Sequence, residues 1–156
     1  MNKEIQSIIN DLQVVLNGKP WFDRSVYAIL DEIDTTLVYK KPNENSHSLM
    51  ELLYHMLTWA EFTLKSVEKA GKEHMNAIEK MDWRLIEPAV HNWEKGLAEF
   101  KSVNEKIIDR LQTIDDSLLE ETVDFRKYNF GVLLYGHIQH IIYHLGQIAY
   151  VKKLLS

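Results

Sequence analysis

Apolar residues recur every three or four positions along four long segments of this 156-residue sequence, and that spacing restricts the chain to helices. The first segment covers residues 5–16, the second begins after Ser48, the third covers 90–111 and the fourth covers 130–155. No stretch shows a strand pattern that is stronger than this helical spacing. The sequence therefore predicts an all-α fold, a four-helix bundle with one or two crossover connections of about 15 or more residues, formed by residues 1–156 as a single domain.

Capping residues predict where these helices begin. Ser48 stands three residues before Glu51, which is the spacing of a capping box, and Asn129 precedes the last segment. Asp23 is the expected cap of a short helix that follows the first segment, and Pro88 suits the first turn of the third long helix. The charged residues 72–80 indicate a solvated helix end or loop, and residues 117–121 a turn of helix.

Composition excludes several classes of function. The net charge is −5 and the basic residues are scattered, so no surface suited to nucleic acid is expected. The absence of cysteine leaves His, Asp and Glu as the only strong ligands for a metal. No run approaches the ~18 apolar residues of a membrane span, so the sequence predicts no membrane partner and a cytoplasmic location.

Three of the seven histidines lie on one stripe of the last helix, at positions 137, 140 and 144. Each residue turns the side chain by about 100°, which places these three within about 60° of one another. His140 and His144, four residues apart, have the spacing by which two imidazoles on one helix reach a single ion. A metal site and a set of core histidines satisfied by hydrogen bonds both fit this spacing.

A third ligand has to come from another helix, and His55 is the candidate. It lies beside Trp59 and Phe62, away from the main apolar stripe of the second long helix. If that aromatic side faces the last helix, His55 approaches His140 and His144. The alternative is that the aromatic residues only pack and that His55 binds a backbone group or water. The sequence lacks HExxH, so a zinc-peptidase glutamate is not expected.

Three segments together resemble the DinB-like (YfiT-like) metal-binding proteins: YGHIQHIIYHLGQIAYVKK, SHSLMELLYHMLTW and WFDRSVYAIL. The resemblance implies a DinB-like four-helix bundle, often homodimeric, with a divalent ion, zinc or nickel, bound by His55, His140 and His144. It also implies that His137 is at most a neighbour of the site, that Gln147 supports a ligand or the fold, and that Gly146 lets a neighbouring helix approach closely.

By the same resemblance, the expected function is activation of a thiol or water nucleophile for a small-molecule substrate. Family members include transferases and isomerases that use low-molecular-weight thiols, bacillithiol or mycothiol, and others described as hydrolases. A thiol S-transferase is therefore the leading expectation and a metal-dependent hydrolase its alternative. Many relatives carry a polar or acidic residue at the position of Ile141 and Arg at that of Leu145. These two departures favour a further alternative, a non-catalytic, stress-related metal-binding protein.

The remaining aromatic and polar candidates have weaker assignments. Trp59 and Phe62, with Tyr54 or Tyr143, are candidates for the pocket wall, although aromatic residues at these spacings are more often part of the core than in contact with a substrate. Glu51 precedes His55 by one turn, but capping is its simpler role. The other residues are expected to be exposed histidines or packed tryptophans: His47, His74 and His91, and Trp21, Trp83 and Trp93.

Overall fold

The computed structural model describes residues 2–156 as an all-α bundle, which confirms the predicted fold class. Within that range the only β pairing is an isolated bridge between Thr122 and Asn129. The helices are α1 (Lys3–Asn17), α2 (Val26–Asp31), α3 (Leu49–Val67), α4 (Lys72–Glu79), α5 (Trp93–Leu111) and α6 (Phe130–Leu155), with a short 3-10 helix at Asp116–Glu120.

The four long helices run as two parallel pairs. The Tyr54 hydroxyl near the start of α3 donates to the Asn92 carbonyl at the start of α5, and Leu64 and Val103 meet further along, so α3 and α5 are parallel. The Asp116 carboxylate before α6 accepts from the Ile5 amide, which puts the starts of α1 and α6 at one end. Residues 68–92 therefore cross the length of the bundle to join α3 to α5, as the predicted crossover topology requires.

Two predicted caps fix the starts of the helices that carry the histidines. At α3 the Ser48 hydroxyl accepts from the Glu51 amide and the Glu51 carboxylate accepts from the Ser48 amide, 3.1 and 2.7 Å apart. At α6 the Asn129 side-chain oxygen accepts from the Val132 amide. The capping box and the Asn129 cap are thus confirmed, and they set the rotation of both helices.

Two other predicted helix starts are wrong. Ser25, not Asp23, caps α2, because its hydroxyl accepts from the Ala28 amide while Asp23 adopts a left-handed φ of 103°. Helix α5 begins at Trp93, not near Pro88, because the Asn92 side chain supplies the acceptor for the Lys95 amide. Residues 72–80 are not a frayed end but mostly helix α4, which buries Met75 and Ile78.

Packing also corrects two assignments made from residue type. Trp21 is fully exposed rather than packed, whereas Trp93 is buried and its indole N–H donates to the Leu30 carbonyl. Gly146 is exposed, and within the described chain a Cβ there would meet no atom within 4 Å, so it does not admit a neighbouring helix. That role belongs to Gly96, where a Cβ would lie 2.7 Å from the Tyr54 ring.

None of the helices in residues 2–156 combines the length and apolar character needed to cross a membrane.

Candidate metal centre

Helices α3 and α6 bring three imidazole rings together inside the bundle. His55 Nε2 lies 3.1 Å from His140 Nε2 and 3.0 Å from His144 Nε2. His55 and His144 are buried and His140 is half-buried. The structure thus unites the three histidines that the sequence analysis selected, as a group that could hold a metal ion.

Burial keeps these rings neutral. It is the main cause that lowers the pKa of His55 and of His144 below the ordinary value. For His140, burial followed by the neighbouring histidines lowers the pKa to about 3. Neutral imidazole is the form that binds a metal, because a protonated ring has no lone pair to donate.

Two of the rings are oriented by hydrogen bonds on their far side. His55 Nδ1 lies 2.5 Å from Asp82 Oδ1, and His144 Nδ1 lies 2.6 Å from Gln147 Oε1. Both oxygens are acceptors, so each Nδ1 carries the proton and donates it. Each Nε2 is then left with a lone pair that points into the cluster.

Facing lone pairs do not bond to one another. His55 Nε2 and His144 Nε2 are 3.0 Å apart, and with both Nδ1 atoms protonated no hydrogen lies between them. Such an arrangement is repulsive unless a cation sits where the lone pairs converge. The donor set therefore fits a metal ion, and the outward contacts to Asp82 and Gln147 are those that commonly orient metal-binding histidines.

The spacing of the nitrogens also fits an ion. With metal–nitrogen bonds of about 2.0–2.1 Å, two ligands are about 3.4 Å apart on a tetrahedral ion and about 2.9 Å apart at neighbouring octahedral positions. The observed separations of 3.0 and 3.1 Å fall between these limits. An ion held by these three ligands alone would keep at least one coordination position open, as metal ions in catalytic sites do.

Two residues at the site were missed by the sequence analysis, and both lie in the connection between α4 and α5. Asp82 supplies the carboxylate that orients His55. Trp83, predicted to pack in the core or between helices, is 41% exposed, and its ring stacks on those of His55 and His47, with centroid distances of 3.8 and 4.0 Å. The backbone of Trp83 has a left-handed φ of 46°, in the irregular connection that places its ring on the histidines.

His137 is buried on the same helix but faces a different partner. Its Nε2 lies 2.8 Å from Asn104 Oδ1 on α5, and the Asn104 amide nitrogen donates to the Phe100 carbonyl. That second bond fixes the amide, so Oδ1 accepts from His137 Nε2–H. The group of three close imidazoles in the described residues does not include His137.

The other candidates occupy different places. Phe62 is buried and Trp59 is half-buried, their rings 5.0 Å apart beside His140. Tyr143 is 66% exposed with its ring edge-on to His144, whereas Tyr54 is buried against Gly96. His47 and His74 are exposed as predicted, while His91 is half-buried and its Nδ1 accepts from the Glu87 amide.

The fold and this cluster define a helical bundle whose interior offers three converging imidazoles. Residues 23–148 match the family model of the DinB superfamily, and the chain belongs to that superfamily. Comparison with curated proteins and with solved structures finds no significant match.

Proposed function

We propose that the protein is a divalent-metal-dependent enzyme whose ion is bound by His55, His140 and His144. The observation that supports this most strongly is the convergence of Nε2 atoms that carry lone pairs, 3.0 and 3.1 Å apart, in a family whose members bind metals. Zinc and nickel are the ions we propose, since imidazole nitrogen suits both.

Such an ion, held by three neutral imidazoles, would lower the pKa of a bound water or thiol and so supply a nucleophile near neutral pH. The protein's own groups do the rest. Asp82 and Gln147 hold two rings in orientation, and Trp83 covers His55 from the loop side. The Glu51 carboxylate accepts from the Ser48 amide in the capping box and forms an ion pair with Lys41, so we assign it no role as a base.

Transfer of a small thiol to an electrophilic carbon is the reaction we propose first. The sulfur forms a bond to that carbon while the bond to the leaving group breaks; the leaving group takes the electron pair and the thiol proton passes to solvent. Hydrolysis, with water in place of the thiol, is the alternative reaction. We propose S-transfer first because the DinB-like proteins that the sequence resembles include transferases that use low-molecular-weight thiols.

A metal-binding protein without turnover is the second candidate function. Ile141 and Leu145 supply neither a proton-transfer group nor a cation next to the histidines, and both are buried apolar side chains in the structure. An anionic substrate would therefore find no positive side chain at either position.

Turnover with thiol donors separates these candidates. We expect the zinc- or nickel-loaded protein to transfer a small thiol to an electrophile, and we expect His144→Ala to abolish this activity. His74→Ala is the matched control, because His74 is exposed on α4 and remote from the cluster. Stoichiometric metal with no turnover of thiols or esters would support the non-catalytic candidate and overturn the enzyme.

We also propose a homodimer that forms through the outer face of α6, in a cytoplasmic protein. This face exposes a stripe of apolar and aromatic side chains: Val132, Tyr135, Ile142, Tyr143, Tyr150 and Leu154. Exposed apolar surface of this extent is typical of interaction sites. Light scattering after size-exclusion chromatography should give twice the chain mass, and Tyr150→Glu should give the monomer mass; a wild-type monomer would contradict the proposal.

A further inference from the structure

A small cavity lies between α3 and α6 directly beside the histidine cluster. It has a volume of about 250 Å³. Its walls include two aromatic residues of α3, a tyrosine before α6 and successive turns of α6: Trp59, Phe62, Tyr128, Leu133, Gly136 and His140. His140 lines the cavity and also belongs to the cluster, where its Nε2 lies 3.1 Å from His55 Nε2; His55 and His144 do not line the cavity.

The walls are mainly apolar, and their polar members are Thr63, Tyr128, His137 and His140. No Asp, Glu, Lys or Arg lines the cavity within residues 2–156. A larger depression of about 750 Å³ between α3 and α5 is lined by Glu61, Lys65, Lys106 and Arg110 among others, and it does not include His55, His140 or His144. The space next to the histidines is therefore the one suited to an uncharged group.

Gly136 leaves open space at the edge of this cavity. It lies in the second turn of α6, where it lines the cavity and also borders an outer depression beside Leu119 and Tyr135. Apart from the neighbouring backbone of α6, no atom of the described chain lies within 4 Å of where its Cβ would be. Glycine inside a helix costs about 1 kcal/mol relative to alanine. Since no neighbour requires the glycine, packing within the chain does not explain it.

We propose that this cavity binds an uncharged apolar group of the substrate, a single aromatic ring or a branched aliphatic group, and holds the reacting atom beside the histidines. The volume is below the ~300–1,000 Å³ of sites for drug-sized ligands, so one ring fits and a larger ring system does not. Aromatic walls suit such a ring through edge-to-face contacts. The inference rests on the proposed function, because it names the substrate group of that same site.

A pair of thiols tests the cavity in the zinc-loaded protein. Phenylmethanethiol carries the ring and ethanethiol does not, so their affinities by isothermal titration calorimetry isolate the ring. Burial of a ring of this size predicts tenfold or tighter binding of phenylmethanethiol. Gly136→Leu, which places a side chain in the open space, should reduce that ratio below threefold, and Gly136→Ala should reduce it partly.

Gly146→Leu is the matched control, since Gly146 lies on the same helix and also has free space around its Cβ within the described residues, but does not line the cavity. Both substitutions replace a helical glycine, so both variants should fold, which thermal unfolding checks. The control should keep the wild-type ratio. Equal affinities of the two thiols in the wild type, or an equal loss in both leucine variants, would overturn the inference.

A probe without a thiol separates this inference from the proposed function. Phenylmethanol, added to metal-free protein, should shift the NMR signals of the Trp59 indole and the Leu133 methyl groups, and Gly136→Leu should prevent the shift. If no metal binds but these signals move, the metal-dependent function fails and the cavity remains. If metal binds and neither signal moves, the cavity assignment fails and the metal centre remains.

Discussion

His137 and His144 lie two turns apart on α6 and are equally buried, with exposures of 5% and 6%, yet their surroundings differ. His137 Nε2 donates to Asn104 on α5, an amide that the Phe100 carbonyl holds in place. His144 Nε2 faces His55 Nε2 on α3. No proton lies between these two nitrogens, because the proton of His144 is on Nδ1, which donates it to the Gln147 side-chain oxygen.

A structural histidine and a candidate ligand on α6 therefore differ in which ring nitrogen bears the proton. They do not differ in burial or in the face of the helix on which they lie. An asparagine oxygen opposite His137 makes that ring a donor. The side-chain oxygens of Asp82 and Gln147 accept from Nδ1 of His55 and of His144, which leaves the Nε2 lone pair of each ring pointing into the cluster. The second arrangement is repulsive without a cation, whereas the His137 Nε2–H is satisfied by Asn104 and only the buried Nδ1 of that ring has no partner among the described residues.

The largest expected effect is the response of thermal stability to zinc. An ion that binds only the folded state adds about 2.7 kcal/mol at 100 times its dissociation constant, which for a chain of this size raises the melting temperature by about 5–10 °C. His144→Ala should abolish this rise in a thermal melt. His137→Gln should retain it, and equal loss in both variants would remove the distinction between the two histidines.

The next effect concerns Asp82. Asp82→Asn removes the charge that orients His55 and should weaken zinc binding about 10- to 100-fold, measured by competition with a chromophoric chelator. Asp109→Asn, a substitution of the same kind on α5 away from the cluster, should leave affinity unchanged. Affinity equal to wild type in Asp82→Asn would show that this carboxylate does not support the metal.

Asn104→Ala should affect stability and leave metal binding intact. It leaves the buried Nε2–H of His137 without its acceptor, at a cost of about 1–3 kcal/mol in the free energy of unfolding, measured by urea denaturation. Zinc stoichiometry should remain that of the wild type. Loss of zinc from a folded Asn104→Ala protein would mean that the α5 contact supports the metal centre after all.

The smallest effect is the pH dependence of the metal-free protein. Burial lowers the pKa of His137 to about 4, against about 6.5 for an unfolded histidine. Between these values the unfolded chain binds the proton and the folded chain does not, so stability falls as the pH drops, by up to about 1.4 kcal/mol per pH unit for this residue. The free energy of unfolding, measured by urea denaturation at several pH values from 7 to 5, should fall less steeply with decreasing pH in His137→Gln than in the wild type. An identical pH dependence in both proteins would contradict the assignment.

Local signals in the sequence were sufficient for the bundle, whereas the choice of the three histidines also needed the resemblance to the DinB-like proteins. Periodicity predicted the long helices, and Ser48 and Asn129 have the acceptors that helix starts need. The capping signal pointed to the wrong residue at the start of α2, because Asp23 and Ser25 lie two residues apart and the side chain of either type can cap a helix.

Contacts between distant segments were not visible in the sequence. Asp82 lies 27 residues from His55, in an irregular connection with no periodicity to indicate its direction. From its residue type, Trp83 was expected to pack in the core or between helices. In the structure its backbone has a left-handed φ and its ring stacks on His55, and no local pattern predicts either feature. Likewise nothing local distinguishes Gly96, which Tyr54 approaches, from the exposed Gly146.

The most direct test of the metal centre is the metal content of the purified protein, measured by inductively coupled plasma mass spectrometry beside His55→Ala and His140→Ala. We predict about one equivalent of zinc or nickel in the wild type and none in either variant. Wild-type protein that contains no metal even after incubation with both ions, or folded variants that retain a full equivalent, would contradict the three-histidine site.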